Sequence, residues 1–270
     1  MHMKTITKFT HQRRRMYAFF LRHLYPLRRD FDLLSDMLYW PVIDVLLWGM
    51  TSQWLGGNNG ISPLITAILT GLILWNVIWR SQSEISRNLI DEMWNHNLVN
   101  IFSTPFSIKE WIVGVLLLSI MKMALTVACL SIIIFVLYSV NIFAIGWWMI
   151  PFFICTVMTG WWVGFVAAGI VIRWGPKVQT VVWTLPGILL PFSAVYFPLA
   201  ILPTFLRPIS YFLPTTYIFE AMRALLTTGT VSWTVIIVSV ILNIVYLILS
   251  LRWFLDSFRA SLKLGLGRFN

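Results

Sequence analysis

The chain has 270 residues, 59% of them hydrophobic and 11% charged, with a formal net charge of +10. A soluble domain carries about 25% charged residues, so this chain lacks the polar surface to cover a globule in water and reads as a membrane protein of one domain. A nucleic-acid-binding surface is excluded, because that needs a basic patch on a water-facing side; here the charges fall between apolar runs, where anionic lipid and membrane orientation account for them.

In chain order, residues 1–30 do not read as a cleaved signal. Arg13-Arg14-Arg15 is followed by a short apolar stretch interrupted by Arg22, His23 and Pro26, with no small-residue cleavage site. From Tyr17 to Met37 the sequence is amphipathic in two pieces broken by Pro26. In the second piece Phe31, Leu34 and Leu38 recur at helical spacing, with Arg28, Arg29, Asp32 and Asp36 on the other face. This predicts an interfacial helix on the inner leaflet. Asp32 and Asp36 have the spacing of a magnesium-binding pair, but their basic neighbours favour a solvated face.

Six apolar runs then reach the roughly 20 residues a membrane-crossing helix needs. They are about Leu38–Leu55, Ile61–Trp79, Trp111–Val140, Ile142–Ile172, Thr180–Phe197 and Val231–Phe254. The third and fourth exceed the minimum and are expected to tilt or project. Between the second and third lies "NLIDEMWNHNLVNIFSTPFSIKEW", Asn88–Trp111, which reads as an amphipathic helix, a turn at Thr104-Pro105 and a restart. A plain connection needs only a few residues, and this one uses about thirty.

Basic residues orient the spans. With the N-terminus inside, seventeen Lys and Arg fall on the cytoplasmic side, and only Arg207 and Arg223 fall outside. Both termini and residues 81–110 are therefore expected in the cytoplasm, with Gly57–Gly60 and Leu206–Gly229 outside. Tryptophans at many span ends read as an aromatic belt; Trp161-Trp162 lie mid-span, where close packing or the lining of an apolar path accounts for them. Six of the twelve prolines fall between Pro186 and Pro214. Phe197–Gly229 is thus too broken to span and too apolar for a free loop, and fits a re-entrant pair of short helices.

No catalytic constellation is evident. The four histidines show no metal-ligand spacing, Cys129 and Cys155 sit in apolar runs as buried free thiols, and no phosphate-cradling glycine loop is present. Asp44 and Lys122 are the charges placed inside spans. Such residues are costly and often functional, although Asp44 lies near the start of its span and Lys122 has the reach to snorkel inward.

Two stretches carry a family likeness. The first holds Asp91, Glu92, Trp94, Asn97, Leu98, Phe102, Ser103, Thr104, Pro105 and Ser107, followed by Glu110 and Trp111. The second is "LPTTYIFEAMRALLTTG", with Pro214, Thr216, Tyr217, Glu220, Ala221 and Arg223. In their order and spacing they resemble the permease subunits of ABC transporters of the type-2 exporter class. One departure is the "WNHN" where members usually carry a glycine. The resemblance implies an all-α integral membrane fold with six transmembrane helices, an interfacial amphipathic helix before the first, a cytoplasmic coupling helix and an outer re-entrant helical hairpin before the last. Residues 1–270 would form one permease domain: 1–37 the cytoplasmic and interfacial segment, 38–255 the six-span core, 256–270 the tail.

The resemblance further implies the transmembrane subunit of an ATP-driven exporter in the cell (plasma or inner) membrane. It would be paired with a second permease copy or a homologue and with two ABC ATPase subunits. This chain would hold no cofactor of its own; ATP and magnesium would sit on the partner. Asp91, Glu92 and His96 would give polar contacts to the ATPase, and Leu98, Val99, Ile101 and Phe102 apolar ones, with Trp94 beside them. Pro214, Tyr217, Glu220 and Arg223 would form the outer segment, with Glu220 and Arg223 able to pair three residues apart or to reach outside water. The cargo, hydrophobic or amphiphilic (a drug, a lipid or a lipid-linked glycan), would pass along spans one, two and five. An intramembrane transferase on a lipid-linked substrate lacks paired aspartate-rich loops here. A proton-coupled secondary transporter would want paired ionisable residues at the midplane.

Overall fold

The structure, a computed structural model, describes residues 2–26, 29, 31–56 and 63–265. The expected outer turn Gly57–Gly60 and the side chain of Asp32 lie outside the described residues. Within them all regular structure is helical: α1 (His2–Leu24), α2 (Phe31–Leu34), α3 (Trp40–Gly56), α4 (Pro63–Trp94), α5 (Leu98–Ser103), α6 (Ile108–Tyr138), α7 (Met149–Trp174), α8 (Val181–Leu189), α9 (Arg207–Tyr211), α10 (Pro214–Thr228) and α11 (Trp233–Leu264). Three helical stretches are long and apolar enough to cross a membrane, Ile108–Tyr138, Ile142–Trp174 and Trp233–Leu264. They make this an all-α membrane protein.

The helix ends follow local chemistry. Ser107 and Glu110 form a reciprocal capping box at the start of α6, each side chain meeting the other's backbone amide. Ser139 closes α6 in the left-handed conformation, φ 56°. Pro214 stands in the first turn of α10, where its missing N–H costs nothing, and Gly229 ends that helix at φ 71°.

α7 is the central helix and packs along both α4 and α11. Gly160 and Gly164, one turn apart on α7, let α4 approach closely. A Cβ at Gly160 would stand 2.6 Å from the Ile78 carbonyl oxygen, and one at Gly164 2.9 Å from that of Gln82. Small residues at this spacing are how helices meet backbone to backbone in lipid, where no hydrophobic effect presses them together. The apolar side chains form two buried clusters. One includes Leu72, Phe152 and Phe219; the other includes Leu89, Trp111, Phe165 and Phe254. Trp161 packs against both and donates its indole N–H to Ser119 Oγ at 2.8 Å, so its mid-span position is explained by packing.

Three expectations are corrected. The second amphipathic piece, expected as an interfacial helix of its own before the first span, is not a separate helix. α2 runs through a π-helical turn, Ser35–Tyr39, straight into α3, and Asp36 faces Arg80 at 3.1 Å and Arg87 at 2.9 Å instead of a solvated surface. The helix that holds the second apolar run does not end with that run at Trp79. α4 continues unbroken to Trp94, about 48 Å at 1.5 Å per residue, because Ser81, Gln82, Ser83, Glu84, Ser86 and Asn88 are all buried against neighbouring helices. The fifth run, Thr180–Phe197, is not one helix. α8 has nine residues, about 14 Å, contains Pro186, and passes into a 3₁₀ turn at Leu190–Phe192 that contains Pro191.

Candidate functional site

The connection between α4 and α6 is built as a rigid elbow. α4 ends in a Schellman turn: the Asn97 amide donates to the Glu92 carbonyl at 2.9 Å and the His96 amide to that of Met93 at 3.1 Å. His96 occupies the left-handed position, φ 50°, that glycine usually fills. The departure "WNHN" therefore keeps the turn and substitutes a residue that adopts its conformation at a cost. α5 follows at once, and Thr104-Pro105 redirects the chain into the capping box of α6.

The elbow sorts the expected contact residues into two groups. Leu98 is buried in the cluster with Leu89 and Trp111, and Phe102 lies edge-on to Phe258 of α11 with 4.8 Å between ring centroids. Glu92 is buried; its carboxylate takes Arg22 Nη2 at 2.5 Å and Asn97 Nδ2 at 3.0 Å. These three hold the elbow to its own chain; Leu98 and Glu92 are buried, and Phe102 is half-buried. Trp94, His96, Val99 and Asn100 are exposed, and Asp91 is half-exposed with Arg87 4.0 Å away. Partial burial pushes the Asp91 carboxyl above its ordinary value, against the pull of Arg87.

α1 clamps this elbow. Arg15 Nη2 meets Glu110 Oε1 of the capping box at 2.6 Å, Arg22 meets Glu92, and Phe19 stacks on Phe106 at 5.5 Å while its ring covers Gly114. Beneath lies a polar cavity of about 350 Å³ lined by Arg22, His23, Glu84, Asp91 and Lys122 among others. Burial pushes the His23 imidazole below its ordinary value, and its Nδ1 lies 2.8 Å from the Phe19 carbonyl oxygen.

Lys122, expected inside the third apolar run and able to snorkel inward, is paired. Its Nζ lies 2.7 Å from Glu84 Oε2, and both side chains are 5% exposed. Sequence reasoning missed Glu84 because it placed residue 84 beyond the end of a span. The signal was present: Glu84 and Lys122 lie at near-equal chain distances from the Thr104-Pro105 turn, as partners across a helical hairpin must.

In the segment before α11, Glu220 and Arg223 pair at 2.9 Å. Glu220 Oε1 also accepts the Leu199 amide at 2.7 Å. Arg223 donates to the carbonyls of Ala194 at 2.6 Å and Val195 at 3.2 Å. Tyr217 donates to the Tyr211 carbonyl, and the Pro214 carbonyl accepts from Ser239 of α11. The four expected residues therefore pin the broken stretch 194–211 onto α10 and α11. Asp44 lies elsewhere, in a cavity of about 520 Å³ between α3, α4 and α8 that also holds Trp48, Trp75, Trp79 and Tyr196.

Among the described residues no group of three His, Cys, Asp or Glu is placed to hold a metal ion. No protein-family model matches the chain, and no curated protein matches it. The fold and the elbow thus define a helical membrane protein with an exposed short helix braced by two long ones.

Proposed function

We propose that this chain is the membrane-spanning subunit of an ATP-driven exporter of the type-2 ABC class, joined to a second permease copy and two ATPase subunits. The observation that supports this best is α5 itself. It is a short helix with one face seated on the chain's own core and the other, at Val99 and Asn100, exposed. It is continuous through tight turns with α4 and α6, so a push on it moves both as levers. A membrane subunit without a nucleotide-binding loop takes its free energy from a partner, and differential contact in two states is what such a partner must supply. In this reading α3, α4, α6, α7 and α11 cross the cell membrane. The broken segment from Val181 to Phe197 makes the sixth crossing, and both termini are cytoplasmic. Cargo passes beside α3, α4 and α8.

The test is co-purification of the chain with its ATPase, together with cargo-stimulated ATP hydrolysis. Val99→Asp places an unpaired carboxylate in the docking contact and costs several kcal/mol there, so ATPase recovery is expected to fall at least about tenfold while the chain still inserts and folds. Normal recovery with both Val99→Asp and Trp94→Asp would remove α5 as the docking element. One observation favours a second reading: the buried Glu84–Lys122 pair is the kind of ionisable couple a proton-driven carrier uses. Transport that follows a proton gradient and ignores ATP would select it.

A further inference from the structure

The cavity between α3, α4 and α8 has an unusual lining. Trp40, Asp44 and Trp48 recur every four residues and share one face of α3. Trp75 and Trp79 do the same on α4. Trp48 and Tyr196 stack face to face, 4.2 Å between centroids and 15° between planes, and form one wall. A volume of about 520 Å³ is that of a small-molecule site.

The charges in this cavity are unequal. Asp36, at its edge, is neutralised by Arg80 and Arg87. Asp44 has no cation or hydrogen-bond donor paired with it among the described residues. The face of an aromatic ring carries the negative end of its quadrupole, so each tryptophan that offers its face to a ligand in this cavity acts in the same direction as Asp44. An anion would be repelled by both. A neutral apolar body would leave the Asp44 carboxylate desolvated without a partner. A weakly hydrated cation satisfies both, and ring faces here already take one: the Arg87 guanidinium lies 5.9 Å from the centroid of the Trp183 ring on the same cavity.

We infer that this cavity binds an organic cation, a quaternary or protonated amine or a phosphonium on an apolar body, with Asp44 as its counter-charge and the tryptophans as its cage. This names the cargo class of the proposed exporter and rests on that reading for transport, though not for binding.

The experiment is therefore a binding measurement on the purified chain in an uncharged detergent. It uses radiolabelled tetraphenylphosphonium and, as its counterpart of like shape and opposite charge, tetraphenylborate. The cation is expected to bind at least about tenfold tighter than the borate. Asp44→Asn should lower cation affinity by about tenfold and leave borate affinity unchanged or higher, while Asp44→Glu keeps cation binding. Trp40→Leu changes an exposed side chain, so core packing survives, and should weaken the cation several-fold. Thermal unfolding of each variant checks its fold. Equal affinity for the two ions, or cation binding untouched by Asp44→Asn, would overturn the site. Cation binding in a chain that recruits no ATPase would support the site and remove the exporter reading. ATPase recruitment with no charge preference would remove the site alone.

Discussion

At the residue scale, His96 and Arg223 show how much one position decides. His96 adopts a left-handed backbone that costs a residue with a Cβ about 1–2 kcal/mol. Its side chain is exposed. His96→Gly is therefore expected to stabilise the detergent-solubilised protein by up to about 1 kcal/mol, the strain relieved less the entropy glycine loses on folding, and so to raise its melting temperature; a lower melting temperature would mean that the imidazole makes a stabilising contact. Their three-residue spacing allowed Glu220 and Arg223 either to pair or to reach outside water, and in the structure they pair. The sequence could not show that Arg223 also holds the carbonyls of Ala194 and Val195, 29 and 28 residues earlier, because nothing local encodes that reach. Removing Arg223 frees the Ala194 and Val195 carbonyls together with Glu220, so Arg223→Ala should lower thermal stability and transport more than Glu220→Ala. A double-mutant cycle should return a coupling of about 0.5–3 kcal/mol. Strict additivity would show that the pair is only adjacent.

At the scale of elements, apolar runs and turn chemistry carried most of the architecture. The Thr104-Pro105 break fell where the chain turns, and the restart read after it is α6, which opens on the Ser107–Glu110 capping box. The misplacements share one cause. Span ends were set where polarity begins, but a helix packed on all sides continues through polar residues if each finds a partner. Gln82 donates to the Val182 carbonyl at 2.9 Å and to Ser86 at 3.0 Å, and Arg80 donates to Asp36. α4 thus runs on past Trp79. Leu98 and Phe102 were assigned outward on the family resemblance, and a six-residue helix offers less than two turns, too few for the sequence to phase its apolar face. The α4–α7 contact was also hidden, because glycine adds no hydropathy. It gives a contrast to measure. Gly160→Ala forces a Cβ against the Ile78 carbonyl, and is expected to cost about 1–3 kcal/mol in thermal or denaturant unfolding. Gly187→Ala meets nothing within 4 Å in α8 and should be neutral or stabilising by up to about 1 kcal/mol. Equal effects would mean that α4 and α7 can move apart freely.

At the scale of the whole molecule, the exposed elbow, the α1 clamp and the buried ion pair form one continuous structure. α1 is tied to α4 through Arg22–Glu92 and to α6 through Arg15–Glu110, and α4 is tied to α6 through Glu84–Lys122. The elbow therefore transmits a push to both long helices together, since neither can slide without breaking a charged contact. The deepest of these contacts is the most demanding. Two charges at 5% exposure lose most of their hydration, and their attraction offsets that loss only while both are present. Lys122→Met leaves the Glu84 carboxylate buried without its cation and is expected to destabilise the protein by about 3–5 kcal/mol. Glu84→Gln combined with Lys122→Met removes both charges and keeps the side-chain volumes. It should recover most of that loss, and replacing a buried pair by neutral groups is often close to neutral for stability. Thermal unfolding of the wild type, the two single variants and the double variant reads the cycle directly. If the double variant is no more stable than Lys122→Met, then Glu84 and Lys122 act independently and the α4–α6 hairpin is held by packing alone. If stability returns in the double variant while ATPase-dependent transport does not, the charge pair serves the movement of the two helices rather than their folding.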